Sequence, residues 1–185
     1  AYLKKGDIMV GLERFPDKQS FQRYQVRLQA AWEQFMSGES RTPDPSVVPF
    51  RIAESWKRSQ GYGLDPFHYQ SFVKMKKLNI KNRETQLLTD ETAGYWLGDL
   101  AKKYAFNVSV FDAQGNDIAL MPERDHALSF ANEMILGTNA AALALLENRP
   151  GCVLAQEHYS RFFHPRFCVA APFRETDQNL SLIHI

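Results

Sequence analysis

The stretch from Gly137 to Phe173, GTNAAALALLENRPGCVLAQEHYSRFFHPRFCVAAPF, constrains the fold more than any other part of the chain. It holds, in order, a tight turn, a short helix, a strand, a polar segment rich in histidine and a second strand. Gly137-Thr138-Asn139 is a helix start, since a Thr or Asn side-chain oxygen satisfies orphan N–H groups of the first turn. Ala140 to Leu146 is a run of strong helix formers. Asn148-Arg149-Pro150-Gly151 stops the helix, because Pro150 cannot continue it. Cys152 to Ala155 and Phe167 to Phe173 are short apolar runs that suit buried strands, the second ending at Pro172.

Upstream, Asp17 to Ser37 reads as a helix with Gly38 as its C′ stop. Phe21, Tyr24, Leu28, Ala31, Trp32 and Phe35 recur at three- and four-residue steps and make one apolar stripe. The stripe suits either a dimer seam or packing against the chain's own following domain. Gly38 to Pro49 is a proline-rich linker, and Pro49 suits the first turn of a second helix. Ile52 and Trp56 share a face of that helix, which Gly61 and Gly63 end. Trp56 is expected to anchor it to the domain that follows. Asp65-Pro66 opens a short helical region, and Phe72 to Asn79 is expected to be helical. Thr89 or Asp90 caps a longer helix with a stripe of Ala93, Trp96, Leu97, Leu100 and Tyr104. Phe106 to Phe111 is a strand, turned at 112–116 onto a partner strand from Asp117 to Leu120. The sum is α+β: an antiparallel sheet flanked by helices, preceded by an N-terminal helical extension.

Composition narrows the function classes. The chain has 185 residues, 44% hydrophobic and 23% charged, enough for a packed core plus an extension. A net charge of +1 gives no basic face for nucleic acid, and Lys74, Lys76 and Lys77 suit a solvated helix face. Cys152 and Cys168 lie in apolar runs and read as reduced thiols rather than a disulfide. No apolar run approaches the roughly 18 residues of a membrane span. The expected setting is cytoplasmic, with no nucleic acid and no membrane partner.

Two blocks resemble a known family. One comprises Gly137, Thr138, Asn139, Ala140, Arg149, Pro150, Glu157, His158, His164, Cys168, Ala170, Ala171 and Pro172. The other is Ile52-Ala53-Glu54-Ser55-Trp56-Lys57-Arg58-Ser59 with Gly63-Leu64-Asp65-Pro66. Together they resemble the N-terminal GAF sensor region of sigma-54-dependent transcriptional activators of the acetoin and dihydroxyacetone catabolism type. The helix departs from that pattern at Ala141, Ala142 and Leu143, where the family commonly carries a larger residue, Gly and Thr. The resemblance implies a GAF/PAS-like fold and a bacterial signal-sensing function. It also implies control of an AAA+ ATPase and a helix-turn-helix domain outside these residues. Implied partners are a small-molecule effector or regulatory protein, the downstream AAA+ domain and a second copy in a homo-oligomer. Alternatives are a protein-interaction module docking a metabolic enzyme, and the sensor of a histidine kinase.

Both ends carry signs of non-native sequence. Leu180-Ser181-Leu182-Ile183-His184-Ile185 can be encoded by a transposon-end sequencing adapter. Lys4-Lys5-Gly6-Asp7-Ile8-Met9 can be encoded by a ribosome-binding site running into a start codon. The expected division is therefore a translated leader over 1–8, a helical extension with its linker over 9–63, an incomplete sensor domain over 64–179 and adapter translation over 180–185. The fold is thus expected to be C-terminally truncated, with a raw sheet edge.

The candidate ligand-binding residues are Thr138, Asn139, Glu157, His158 and His164, polar groups set in apolar sequence. Each has a structural alternative: Thr138 and Asn139 as helix caps, Glu157 and His158 as a helix start, His164 as a loop residue. His158, His164 and Cys168 fall short of the four ligands of a structural zinc site. No nucleophile elbow, phosphate loop or dinucleotide fingerprint is present. Neither a catalytic residue, a metal nor a cofactor is called for, and no enzymatic activity is expected.

Overall fold

The computed structural model describes residues 15–67, 109–112, 132–174 and 180–184. Helix α1, Lys18–Met36, begins where the Asp17 carboxylate accepts from the Ser20 N–H at 2.6 Å. That bond holds the Asp17 carboxyl below its ordinary range. The helix ends at Ser37, followed by Gly38 at φ +80°. Helix α2, Phe50–Gly61, has Pro49 at its N-cap position, one residue before the first turn that the sequence suggests. Gly63, at φ +72°, turns the chain out of it.

The stripe of α1 is internal. Leu28, Ala31, Trp32 and Phe35 are buried in one cluster with Val48, Ile52, Ala53 and Trp56, and Phe35 stacks on Trp56 at 5.9 Å. The same cluster holds Phe111, Val153, Tyr159, Cys168 and Ala170 from the sheet domain. Burying side chains of this size contributes roughly 1.5–3 kcal/mol each. The stripe therefore packs against the chain's own domain and gives no argument for a dimer seam.

The sheet has four antiparallel strands: β1 (Ser109–Asp112), β2 (Gly151–Leu154), β3 (Phe167–Arg174) and β4 (Leu180–His184), in the order β1-β4-β3-β2. Two expectations are corrected here. Strand β3 does not end at Pro172 but runs to Arg174. Pro172 lies past the last β2 pair, Gly151 with Ala170, so on that flank a missing N–H costs no ladder bond. Residues 180–184, expected to lie outside the domain and leave a raw edge, form an inner strand between β1 and β3. Ladder pairing needs only backbone donors and acceptors in reach, which the codon reading of this segment does not address. The architecture is α+β. The expected helices over 72–79 and from 89 to 104, and the strand at 117–120, lie outside the described residues.

A one-turn helix α3, Glu133–Leu136, leads into α4, Ala140–Glu147. In α4, Ala140 to Ala144 are all buried, and the helix lies on β2, β3 and β4. The apolar residues of its first turns must be covered, and only Leu146, near its end, stands 63% exposed among its apolar residues. Gly151 permits the close approach: a Cβ there would stand 3.1 Å from the Ala140 carbonyl. Directly paired residues share a sheet face, so Val153 and Cys168 sit on one face and Cys152 and Val169 on the other. The two thiols therefore cannot bridge.

Candidate functional site

The two sequence blocks meet, as two halves of one buried interface. The segment from Ala155 to Phe163, two 3-10 turns between β2 and β3, is the meeting place. Helix α2 reaches it through Trp56, whose indole Nε1 donates to the Glu157 carbonyl at 2.8 Å. Helix α1 reaches it through Trp32, whose Nε1 donates to the Tyr159 carbonyl at 3.0 Å. A buried indole N–H needs such a partner, and each carbonyl is otherwise hard to satisfy in a turn. Both tryptophans are buried, so each bond also fixes the ring that fills the core.

Glu157 is fully buried and is held from several elements. Its Oε1 accepts from Tyr24 Oη at 2.7 Å, across from α1, and its Oε2 accepts from the Leu154 N–H at 2.8 Å, at the end of β2. His158 is fully buried beside it, with Nδ1 2.9 Å from the Ala155 carbonyl. A carbonyl can only accept, so His158 carries a proton on Nδ1. Tyr159 donates from Oη to the Leu64 carbonyl at 2.9 Å, and the Arg161 N–H donates to the Pro66 carbonyl at 2.8 Å. Residues 64–66, the Leu-Asp-Pro of the upstream block, thus strap the segment from outside. Burial, with the Asp65 charge behind it, pushes the Tyr159 phenol up to about 12.

His164 packs edge-on to Trp32 at 4.6 Å. Burial, opposed by a hydrogen bond to the His158 backbone, pushes it down to about 4, so the imidazole is neutral at physiological pH. Its Nε2 is a buried atom with no hydrogen-bond partner. Burial also pushes the Cys168 thiol up to about 12, which leaves it unreactive.

The Gly-Thr-Asn turn has its own attachments. Asn139 is the N-cap of α4, with Oδ1 accepting from the Ala142 N–H at 2.8 Å and Nδ2 donating to the Gly137 carbonyl at 2.9 Å. Thr138 is fully buried and shares a hydrogen bond of 2.7 Å with Ser55 on α2. Ser55 also donates to Glu133, which binds Arg58 through both carboxylate oxygens, at 2.8 and 3.0 Å. That pairing raises the Arg58 guanidinium further above its ordinary value. Arg51 completes the contact of α2, donating to the Cys152 carbonyl at 2.9 Å.

The five candidate residues therefore gather around one junction. Their described hydrogen bonds are internal: Asn139 caps, Thr138 ties α4 to α2, Glu157 clamps α1 and β2, and His158 closes its own turn. The buried Nε2 of His164 makes no hydrogen bond. Tyr24, Arg51, Glu133 and Tyr159 were not among the candidates. Tyr24 carries a signal only as part of an apolar stripe, and Glu133 carries none, since its partners lie far away in sequence. Among the described residues no group of three or more His, Cys, Asp and Glu is placed to hold a metal ion. No helix among them is long and apolar enough to cross a membrane.

No protein-family model matches the chain, and no curated protein does. Among solved structures it is similar to the crystal structure of the E. coli DhaR(N)-DhaL complex, at 15% sequence identity and a TM-score of 0.48. The match covers 76% of this chain and 51% of that one, so this chain spans about half the length of its structural relative.

Proposed function

We infer that this chain is the signal-sensing regulatory region of a bacterial sigma-54-dependent transcriptional activator. It is a GAF-like sheet domain with an integral helical extension, it works in the cytoplasm, and it catalyses no reaction. Its output goes to an AAA+ ATPase and a helix-turn-helix domain elsewhere in the full-length protein. One observation carries the reading. The two motif blocks that resemble the activator family are the two sides of a single interface, with Ser55 and Trp56 reaching Thr138 and Glu157. An arrangement in which a sensor segment is gripped by both N-terminal helices can pass a change of packing from one to the other.

The kind of signal follows from the same bonds. Thr138, Asn139, Glu157 and His158, the polar groups a small effector would use, hold the domain together instead. That favours a regulatory protein over a small polyol or ketone. The function is tested with the full-length gene in cells carrying a sigma-54-dependent reporter, with and without inducer. Removal of this region abolishes the inducer response; a response that survives its removal would rule the reading out. A thermal-shift screen of small polyols and ketones separates the two kinds of signal. A ligand that binds only the native state raises Tm with concentration, and such a rise would return the small-effector reading.

A further inference from the structure

Ala155 lies at φ +44°, in the left-handed region, though it has a Cβ and is buried. Such a conformation is unfavourable for alanine and persists only where its surroundings over-determine it. Here they do. The Ala155 N–H donates to the Arg166 carbonyl at 3.0 Å. Its own carbonyl accepts from the His158 N–H at 3.1 Å and lies 2.9 Å from His158 Nδ1. Two residues on, Glu157 is fixed through its side chain to the Leu154 N–H and Tyr24, and through its backbone to Trp56. The bonds that hold the strained residue thus come partly from the two N-terminal helices, and they converge on one residue, Glu157, from Tyr24 at its carboxylate and from Trp56 at its carbonyl.

We propose that Ala155–His158 is a two-state switch element, held in its strained form by the grip of Tyr24 and Trp56 on Glu157. Loosening that grip lets Ala155 relax to negative φ, which carries Glu157 and His158 out of their present bonds and alters the seat of α1 and α2. A partner that pulled on the N-terminal helices, or that bound the relaxed segment, would shift the same equilibrium from opposite ends. The inference rests on the sensor reading for its purpose, but not for its physics.

The test is amide hydrogen exchange, residue by residue, in the chain as it stands. Y24F removes the Oη donor to Glu157 and leaves the ring. It is expected to raise exchange at Leu154 and His158 at least tenfold, while the amides of α4 stay within twofold. Adding A155G is expected to reverse most of that rise, since glycine occupies the left-handed region without strain. Unchanged exchange at Leu154 and His158 in Y24F would overturn the proposal. So would a rise shared equally by α4, which marks loss of global stability, or a failure of A155G to lower the exchange. None of these readouts involves transcription. Failure here leaves the sensor function standing, and failure of the reporter experiment leaves the switch standing.

Discussion

Gly137 shows at the residue scale how little room the junction leaves. It stands at φ +69°, and a Cβ there would lie 2.7 Å from the Cβ of Tyr159. Gly137→Ala combines the cost of forcing alanine into an extended positive-φ conformation (φ +69°, ψ −158°) that is essentially open to glycine alone with overpacking of a side chain that cannot retreat, because Tyr159 is bonded at its hydroxyl to Leu64 and at its carbonyl to Trp32. A loss of roughly 2–5 kcal/mol is expected, read as a fall in the urea midpoint. The cysteines differ in the same local way. Cys168 is buried with its thiol held protonated, whereas Cys152 lies on the opposite sheet face and is half-buried. Iodoacetamide at pH 8 is expected to label Cys152 in the native protein and Cys168 only after denaturation. Mass mapping of the labelled peptides checks this.

At the scale of elements, each short helix depends on attachments outside itself. Helix α4 has eight residues, well below the length at which an isolated helix is stable. Its cap at Asn139 and its burial on the sheet therefore decide whether it forms. Asn139→Ala is expected to cost about 1 kcal/mol, while Asn139→Ser keeps a cap acceptor without setting a second acceptor against the Gly137 carbonyl; denaturant titration of both variants separates cap from packing. Helix α2 depends on Trp56. Trp56→Phe keeps most of the apolar ring but leaves the buried Glu157 carbonyl without its donor, a loss of roughly 1–3 kcal/mol. Because Trp32 grips the same segment two residues on, W32F and W56F are expected to be non-additive by 0.5 kcal/mol or more on the order of contacting pairs. A double-mutant cycle measures that coupling directly.

The whole molecule is expected to have a stability optimum bounded on both sides by groups that the fold partly or wholly desolvates. His164 is pushed down from 6.5 to about 4 in the fold. On acidification the unfolded chain takes up that proton first, so the contribution of His164 is complete above about 6.5 and is lost as pH falls toward 4. Tyr159 and Cys168 are pushed up to about 12 from 10 and 9. On the alkaline side the unfolded chain releases these protons first, so stability declines from about pH 9 upward. Urea midpoints from pH 4 to pH 11 test both limbs. His164→Gln is expected to flatten the acid limb between 6.5 and 4, and Tyr159→Phe to flatten the alkaline limb above 10. An acid limb unchanged in His164→Gln would show that other groups control it.

Much of this protein was legible in its sequence. The span of α1, the stop signals around Gly38 and Pro150 and the strands on either side of the histidine-rich segment all follow from local rules. Periodicity, capping and backbone sterics act over a few residues, and those residues are adjacent in the chain. Asn139 could be read as a cap for the same reason. The tertiary structure alone decided the rest. Whether the α1 stripe faced a second copy or its own domain depends on what lies across from it, which no helical period encodes. Leu180–His184 became an inner strand because backbone ladders accept any segment that reaches them. Glu157 could be read as a ligand contact or as a helix start, and it is a buried clamp, because Tyr24, Trp56 and Leu154 converge on it from three separate elements. A polar residue in apolar sequence announces that it must find partners. Only the fold determines whether those partners are a ligand or the protein itself.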